Sequence, residues 1–105
     1  MTAHGIDLDT PEIREFCRRW RIRGLSVFGS VLRDDFRPES DIDFVAEFED
    51  DDDGDMLDLL RMKEELERIV GRRVDLYDRA GVEASRNRFL KREILRTMES
   101  VRAAR

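Results

Sequence analysis

The sequence predicts an α/β domain, a sheet with helices packed on it, and three observations lead there. Helical and strand periodicities alternate along the chain in the order α-β-α-β-α-β-α. No repeat, linker or composition break divides the 105 residues, a length that holds one domain, 1–105, with one modest core. Charged residues make up 43% of the chain and hydrophobic ones 40%, enough to fold beneath a heavily solvated exterior.

The N-terminus, which contains His4, reads as frayed. Thr10-Pro11 starts the first helix, a hydroxyl N-cap followed by proline at the first helical position. Ile13, Phe16, Cys17 and Trp20 share its apolar face, and Gly24 is expected to end the segment. Leu25 to Phe28 follows as a short strand closed by Gly29-Ser30. From Val31 to Glu39 the chain begins as one helical turn and ends as a polar loop. Ile42 to Phe48 is the second strand, with Asp41, Asp43, Val45 and Glu47 on one face and Ile42, Phe44, Ala46 and Phe48 on the other.

An acidic loop, Glu49 to Asp55, precedes a long helix over Met56–Val70. Leu59, Met62, Leu66 and Ile69 form that helix's buried stripe, and Gly71 caps it. The loop fails as a calcium site. With Gly54 at the sixth position, the twelfth is Leu60, where a bidentate glutamate is required. It reads instead as a solvated loop whose Asp55 caps the helix. Arg73 to Tyr77 makes the third strand, Gly81 a turn, and Ala84 to about Arg102 a last helix. Phe89, Leu90, Ile94, Leu95, Met98 and Val101 lie on the apolar side of that helix.

The totals exclude several functions. A net charge of −5 argues against general nucleic-acid binding, which draws on clustered Lys and Arg. One cysteine, Cys17, allows no intrachain disulfide and suits a reducing compartment. With one histidine as well, zinc sites built from His and Cys are excluded, and any metal is expected on oxygen ligands. No stretch is long and apolar enough to span a bilayer, so no membrane association and a cytoplasmic location are expected.

The informative stretch is Phe28-Gly29-Ser30, ten residues, then Asp41-Ile42-Asp43. Residues two apart on a strand point the same way, so Asp41 and Asp43 present both carboxylates on one side of the sheet. Such neighbours repel unless a cation lies between them, and Mg²⁺ relieves that repulsion while taking its remaining ligands from water and phosphate. Gly29-Ser30 stands where a strand gives way to a turn, so N–H groups and the Ser30 hydroxyl can donate to phosphate oxygens. Asp75, outward between Val74 and Leu76, joins the same face if its strand pairs beside the Asp41–Asp43 strand. Three carboxylates can hold two metal ions, and Asp75 can accept the acceptor's proton. Each residue also has a plainer reading: Asp41, Asp43 and Asp75 as surface acids, Ser30 as a cap, Arg33 as the partner of Asp34 or Asp35.

The run from Phe28 through Asp43, followed by Val74-Asp75-Leu76-Tyr77, resembles the signature of the minimal nucleotidyltransferases (MNT) of the DNA polymerase β-like superfamily. The likeness runs from the first helix to the Phe89–Leu95 segment. It implies a small mixed, twisted sheet with helices mainly on one face. It also implies metal ligands at Asp41, Asp43 and Asp75, a nucleotide site at Gly29 and Ser30, and at Arg33 a residue that contacts phosphate or braces the Ser30 turn. Two Mg²⁺ ions and ATP would be used.

Stand-alone MNT proteins of this length resemble the antitoxin half of HEPN/MNT toxin–antitoxin pairs, in which a tyrosine of the HEPN ribonuclease receives AMP. A HEPN-family toxin is thus the expected partner. Alternatives are an antitoxin acting by occlusion alone, and a transferase for a small molecule or RNA end. The acidic loop and the basic tail beyond Val101 depart from the family pattern without touching the catalytic set.

Overall fold

The computed structural model describes residues 1–49 and 56–101. The expectations for the acidic loop beyond Glu49, including the Asp55 cap, and for the tail beyond Val101 lie outside the described residues.

The N-terminus is a hairpin rather than a frayed end. Strand β1 (Thr2–Ala3) pairs antiparallel with β2 (Ile6–Asp7) around His4 and Gly5. Both turn residues have positive φ, as a two-residue type I′ turn requires. Behind the hairpin, Leu8 is fully buried, and the Met1 ammonium donates to Val101 O at 2.8 Å.

Helix α1 (Pro11–Arg19) starts as expected, with Thr10 Oγ1 accepting from Ile13 N at 3.2 Å. It stops before Gly24. Arg21 takes the left-handed conformation (φ 55°) more often filled by glycine at a helix end. Gly24 instead lies inside β3 (Ile22–Phe28), at a register irregularity against the next strand. A 3-10 turn (Gly29–Leu32) leads into the loop before β4 (Ile42–Phe48). Helix α2 (Met56–Val70) crosses over to β5 (Val74–Asp78). Gly71 (φ 73°) ends α2, its N–H bonded to Glu67 O.

The four-stranded sheet has the order β5-β4-β3-β6, where β6 is Glu99–Ser100. It is mixed: β3 is antiparallel to β4 and β6, while β4 and β5 are parallel. The main core lies on one face, where Phe44, Ile42, Val27 and Val74 meet Ile13 and Phe16 of α1 and Met62 and Leu66 of α2. Full burial of one such side chain is worth about 1.5–3 kcal/mol.

The C-terminal third differs from the single helix expected there. Gly81 sits inside α3 (Arg79–Glu83), which Asp78 caps by accepting from Ala80 N. Asn87 then caps a separate helix α4 (Arg88–Thr97), accepting from Leu90 N at 3.1 Å. Asn87 favours a helix start over a helix interior because its side chain competes for backbone N–H groups. After Met98 the chain turns extended to pair with β3, and Val101 is buried with its N–H on Leu25 O. Phe89 is 91% exposed, not part of an apolar packing face. Helices α3 and α4 cover part of the sheet's second face, where Phe28, Val45, Val82 and Ile94 form a smaller core. That packing buries Val45, which alternation placed among the acids.

Candidate active site

The second face beyond this small core carries the acids. Asp43 lies opposite Asp75 in the parallel β4–β5 pair and opposite Phe28 in the antiparallel β3–β4 pair. Neighbouring strands run about 4.8 Å apart, so the two carboxyl groups compete for the same space. Burial first, then the charges of Asp75 and Asp41, push the Asp43 carboxyl up to about 6, with the Arg33 guanidinium acting against them. Tyr77, two residues beyond Asp75 on the same side of β5, is also raised, by burial and then by Asp43 and Asp75. Its ring packs edge-on to Phe28 at 5.3 Å.

Gly29 answers two constraints at once. Its φ is 77°, and a Cβ there would lie 2.8 Å from Asp43 Oδ2. The sequence suggested room for phosphate; the structure adds room for the carboxylate. Ser30, the second residue of the 3-10 turn, accepts from Arg33 N through its carbonyl, and its hydroxyl donates to Asp41 O at 3.4 Å. Arg33 is exposed and pairs with Asp35 at 3.2 Å. A cavity of about 560 Å³ opens beside this turn, lined by Phe28, Gly29, Leu32 and Arg33 and, from α4, by Glu93, Arg96 and Thr97.

Asp41 stands just before β4, and its carboxylate leans toward Arg73, with Nε 3.2 Å from Oδ1. Oδ1 is shut off from solvent and accepts no hydrogen bond, so the geometry at Arg73 supplies charge without a well-aligned donor. Among the described residues, no three Asp, Glu, His or Cys groups converge as a ready-made metal cage. The donor set suits an ion bound by one or two carboxylates and completed by phosphate oxygens, as Mg²⁺ commonly is. An orphaned oxygen at Asp41 and mutual repulsion around Asp43 are both conditions that a cation relieves.

The fold thus brings Asp43 and Asp75 face to face, sets Gly29 against Asp43, and joins Ser30 to the backbone of Asp41. Arg33 is nearby but turned to Asp35. Two residues were missed from sequence, the doublet Arg72-Arg73. Arg72 donates to the carbonyls of Arg37, Pro38 and Ser40 at 2.6–3.0 Å and lies 4.3 Å over the Phe36 ring. On Phe36 stacks His4, 4.7 Å between centroids. The signal was a pair of arginines between a helix C-cap and an acid-bearing strand, a place with two cations and no helix left to carry them.

A family model, the nucleotidyltransferase domain, matches residues 12–101. The chain belongs to that family. It is a nucleotidyltransferase, an enzyme with the polymerase β-like fold. A protein adenylyltransferase, MntA of Thermococcus cleftensis, is 30% identical to this nucleotidyltransferase over 95 residues, covering 90% of this chain and 86% of MntA. A solved structure assigned as a minimal nucleotidyltransferase shares 31% identity, covers 82% of each chain and superposes with a TM-score of 0.63. The fold also recurs in a Shewanella oneidensis complex of a tri-AMPylated HEPN toxin with an MNT antitoxin. There the identity is 18%, the TM-score 0.60, and the match covers 89% of this chain and 68% of that one.

Proposed function

We propose that this enzyme transfers AMP from ATP to a protein hydroxyl, a tyrosine on a HEPN-family ribonuclease toxin, and so acts as a cytoplasmic antitoxin. The observation that carries the reading is the Asp43–Asp75 pair set across parallel strands beside Gly29. The adenylyltransferase name of the Thermococcus relative and the AMPylated toxin in the Shewanella complex supply the nucleotide and the class of acceptor.

In this reading Asp41, Asp43 and Asp75 hold Mg²⁺, two ions in the full complex, which neutralise the triphosphate and lower the pKa of the acceptor hydroxyl. The N–H groups after Gly29 and the Ser30 hydroxyl bind phosphate oxygens, and Arg33 exchanges Asp35 for a phosphate. Asp75, at the sheet edge, accepts the proton as the tyrosine oxygen attacks the α-phosphorus. The bond between the α-phosphorus and the bridging oxygen breaks, and pyrophosphate leaves. A cavity beside Gly29 takes the nucleoside. Nothing in this arrangement calls for a nucleic acid or a membrane, and no helix among the described residues is long and apolar enough to cross one.

Label transfer tests the proposal. The protein, Mg²⁺ and host lysate are incubated with α- or γ-labelled ATP, with Asp41→Asn/Asp43→Asn as control. A protein band labelled only from the α position, and absent with the variant, is the expected result. Equal labelling by wild type and variant would sink it.

A further inference from the structure

We infer that Arg73 binds phosphate oxygens of the nucleoside triphosphate, and that in the nucleotide-free enzyme its guanidinium stands in for the metal at Asp41. The inference rests on the reading of Asp41 as a metal carboxylate. Arg72 and Arg73 are neighbours with opposite characters. Arg72 is half-buried and committed to three loop carbonyls and the Phe36 ring. Arg73 has a side chain 74% exposed and two contacts, Glu39 O at 3.1 Å and Asp41 Oδ1 at 3.2 Å. One arginine is fixed in place and the other is free to exchange partners.

The backbone around Arg73 is nonetheless well located. Its carbonyl accepts from Ile42 N at 3.0 Å, which ties it to the first residue of β4. It lies two positions before Asp75, so alternation sends both side chains to the same face. Ser30 meets residue 41 from the other side, its hydroxyl on the Asp41 carbonyl. Asp41 therefore touches Ser30 through its carbonyl and Arg73 through its carboxylate, and stands between the two.

Charge decides what the guanidinium does there. Asp41 Oδ1 is enclosed and without a hydrogen bond, so Arg73 neutralises it electrostatically but does not satisfy it. A cation on that oxygen repels the guanidinium and leaves it without its anion. The nearest anions then available are the phosphates that arrive with the metal, and the planar fork of arginine matches two phosphate oxygens at once. Arg73 thus competes with bare metal yet supports metal bound with nucleotide.

Those opposite signs give the test. Mn²⁺ binding to the nucleotide-free protein is measured by electron paramagnetic resonance. Binding of the α,β-methylene analogue of ATP with Mg²⁺ is measured by calorimetry. Arg73→Gln is expected to bind Mn²⁺ roughly two- to fivefold more tightly, the scale of losing one exposed ion pair. It should bind the analogue about tenfold more weakly, the scale of a charge-assisted hydrogen bond. Arg73→Lys keeps the charge without the fork, so its Mn²⁺ affinity should match wild type while the analogue binds with intermediate strength.

Unchanged affinity of Arg73→Gln for either probe overturns the inference. So does a parallel weakening of both with a lowered Tm, the mark of a structural residue. An Asp41→Asn protein that binds Mn²⁺ as tightly as wild type overturns the reading of Asp41 and this inference with it. A failure to label any protein in lysate, with the reciprocal binding pattern intact, strikes only the choice of acceptor.

Discussion

Asp43 faces Asp75 across two parallel strands, and the pair is held together against its own charge. The fold raises the Asp43 carboxyl from 3.8 to about 6. Between those values the folded chain binds more protons than the unfolded one, so stability falls as pH rises through the interval and stays reduced above it. Asp43→Asn removes the penalty. In EDTA its Tm should exceed that of wild type at pH 8, and the difference should shrink toward pH 4, while AMP transfer is lost at every pH. A variant no more stable than wild type at pH 8 would show that the repulsion is relieved by other means.

The same titration sets the acid limb of activity. Metal competes with the proton for Asp43, so transfer should fall as pH drops through about 6 at limiting Mg²⁺. Raising Mg²⁺ should move the limb to lower pH. Rate profiles at two Mg²⁺ concentrations check this, and a limb that does not move would place the controlling group elsewhere.

Gly29→Ala meets both constraints at that position. The left-handed backbone costs a side-chain-bearing residue roughly 1–2 kcal/mol. The added methyl group also displaces the Asp43 carboxylate from a 2.8 Å contact. Transfer should drop by more than the loss of stability explains, at a temperature where circular dichroism still shows a folded chain.

Arg72 reaches three carbonyls of the 37–40 loop through one nitrogen, Nη2, while its guanidinium lies over the Phe36 ring, a stacking that lysine does not reproduce. Arg72→Lys should therefore cost about 0.5–1.5 kcal/mol in urea unfolding, the scale of one cation–ring contact or one hydrogen bond. Because the loop ends at Asp41, half-saturation by Mg²⁺ should rise as well. Wild-type behaviour on both counts would mean that the loop is set by its own turn chemistry.

Leu8 lies in the segment that reads as frayed, yet it is fully buried beneath the hairpin. Leu8→Ala should cost about 2–5 kcal/mol, as large-to-small core substitutions do. A change below about 0.5 kcal/mol, the size of a surface substitution, would restore the frayed reading.

What was legible from sequence divides by mechanism. Strand β4 and helix α2 were read with their observed bounds, because each has a clean period and a glycine or polar run at its ends. Alternation and spacing pointed to Gly29 and Asp43, and placed Asp75 with them only on condition that its strand pairs beside β4, as it does. The misreadings share a cause: a local signal overridden by a tertiary partner. Arg21 ends α1 in a conformation that the eye assigns to Gly24. Met98 and Val101 continue a helical period, yet the open edge of β3 takes the backbone from Glu99 to Val101. Burial of Val45 depends on α3 and α4 crossing to the second face, which no period within β4 reveals. Arg72 and Arg73 look like solvated charge until the loop they touch, more than thirty residues earlier, is in view.

The parallel pairing of β4 with β5 has a consequence in time. Parallel strands need a crossover, here α2 with its connections, so Asp43 and Asp75 meet only after a contact of long sequence separation has formed. On the proposed metal role of these acids, a chain still emerging from the ribosome with β5 unreleased has only half of the pair to offer. The pair and the β4–β5 ladder arrive in one event.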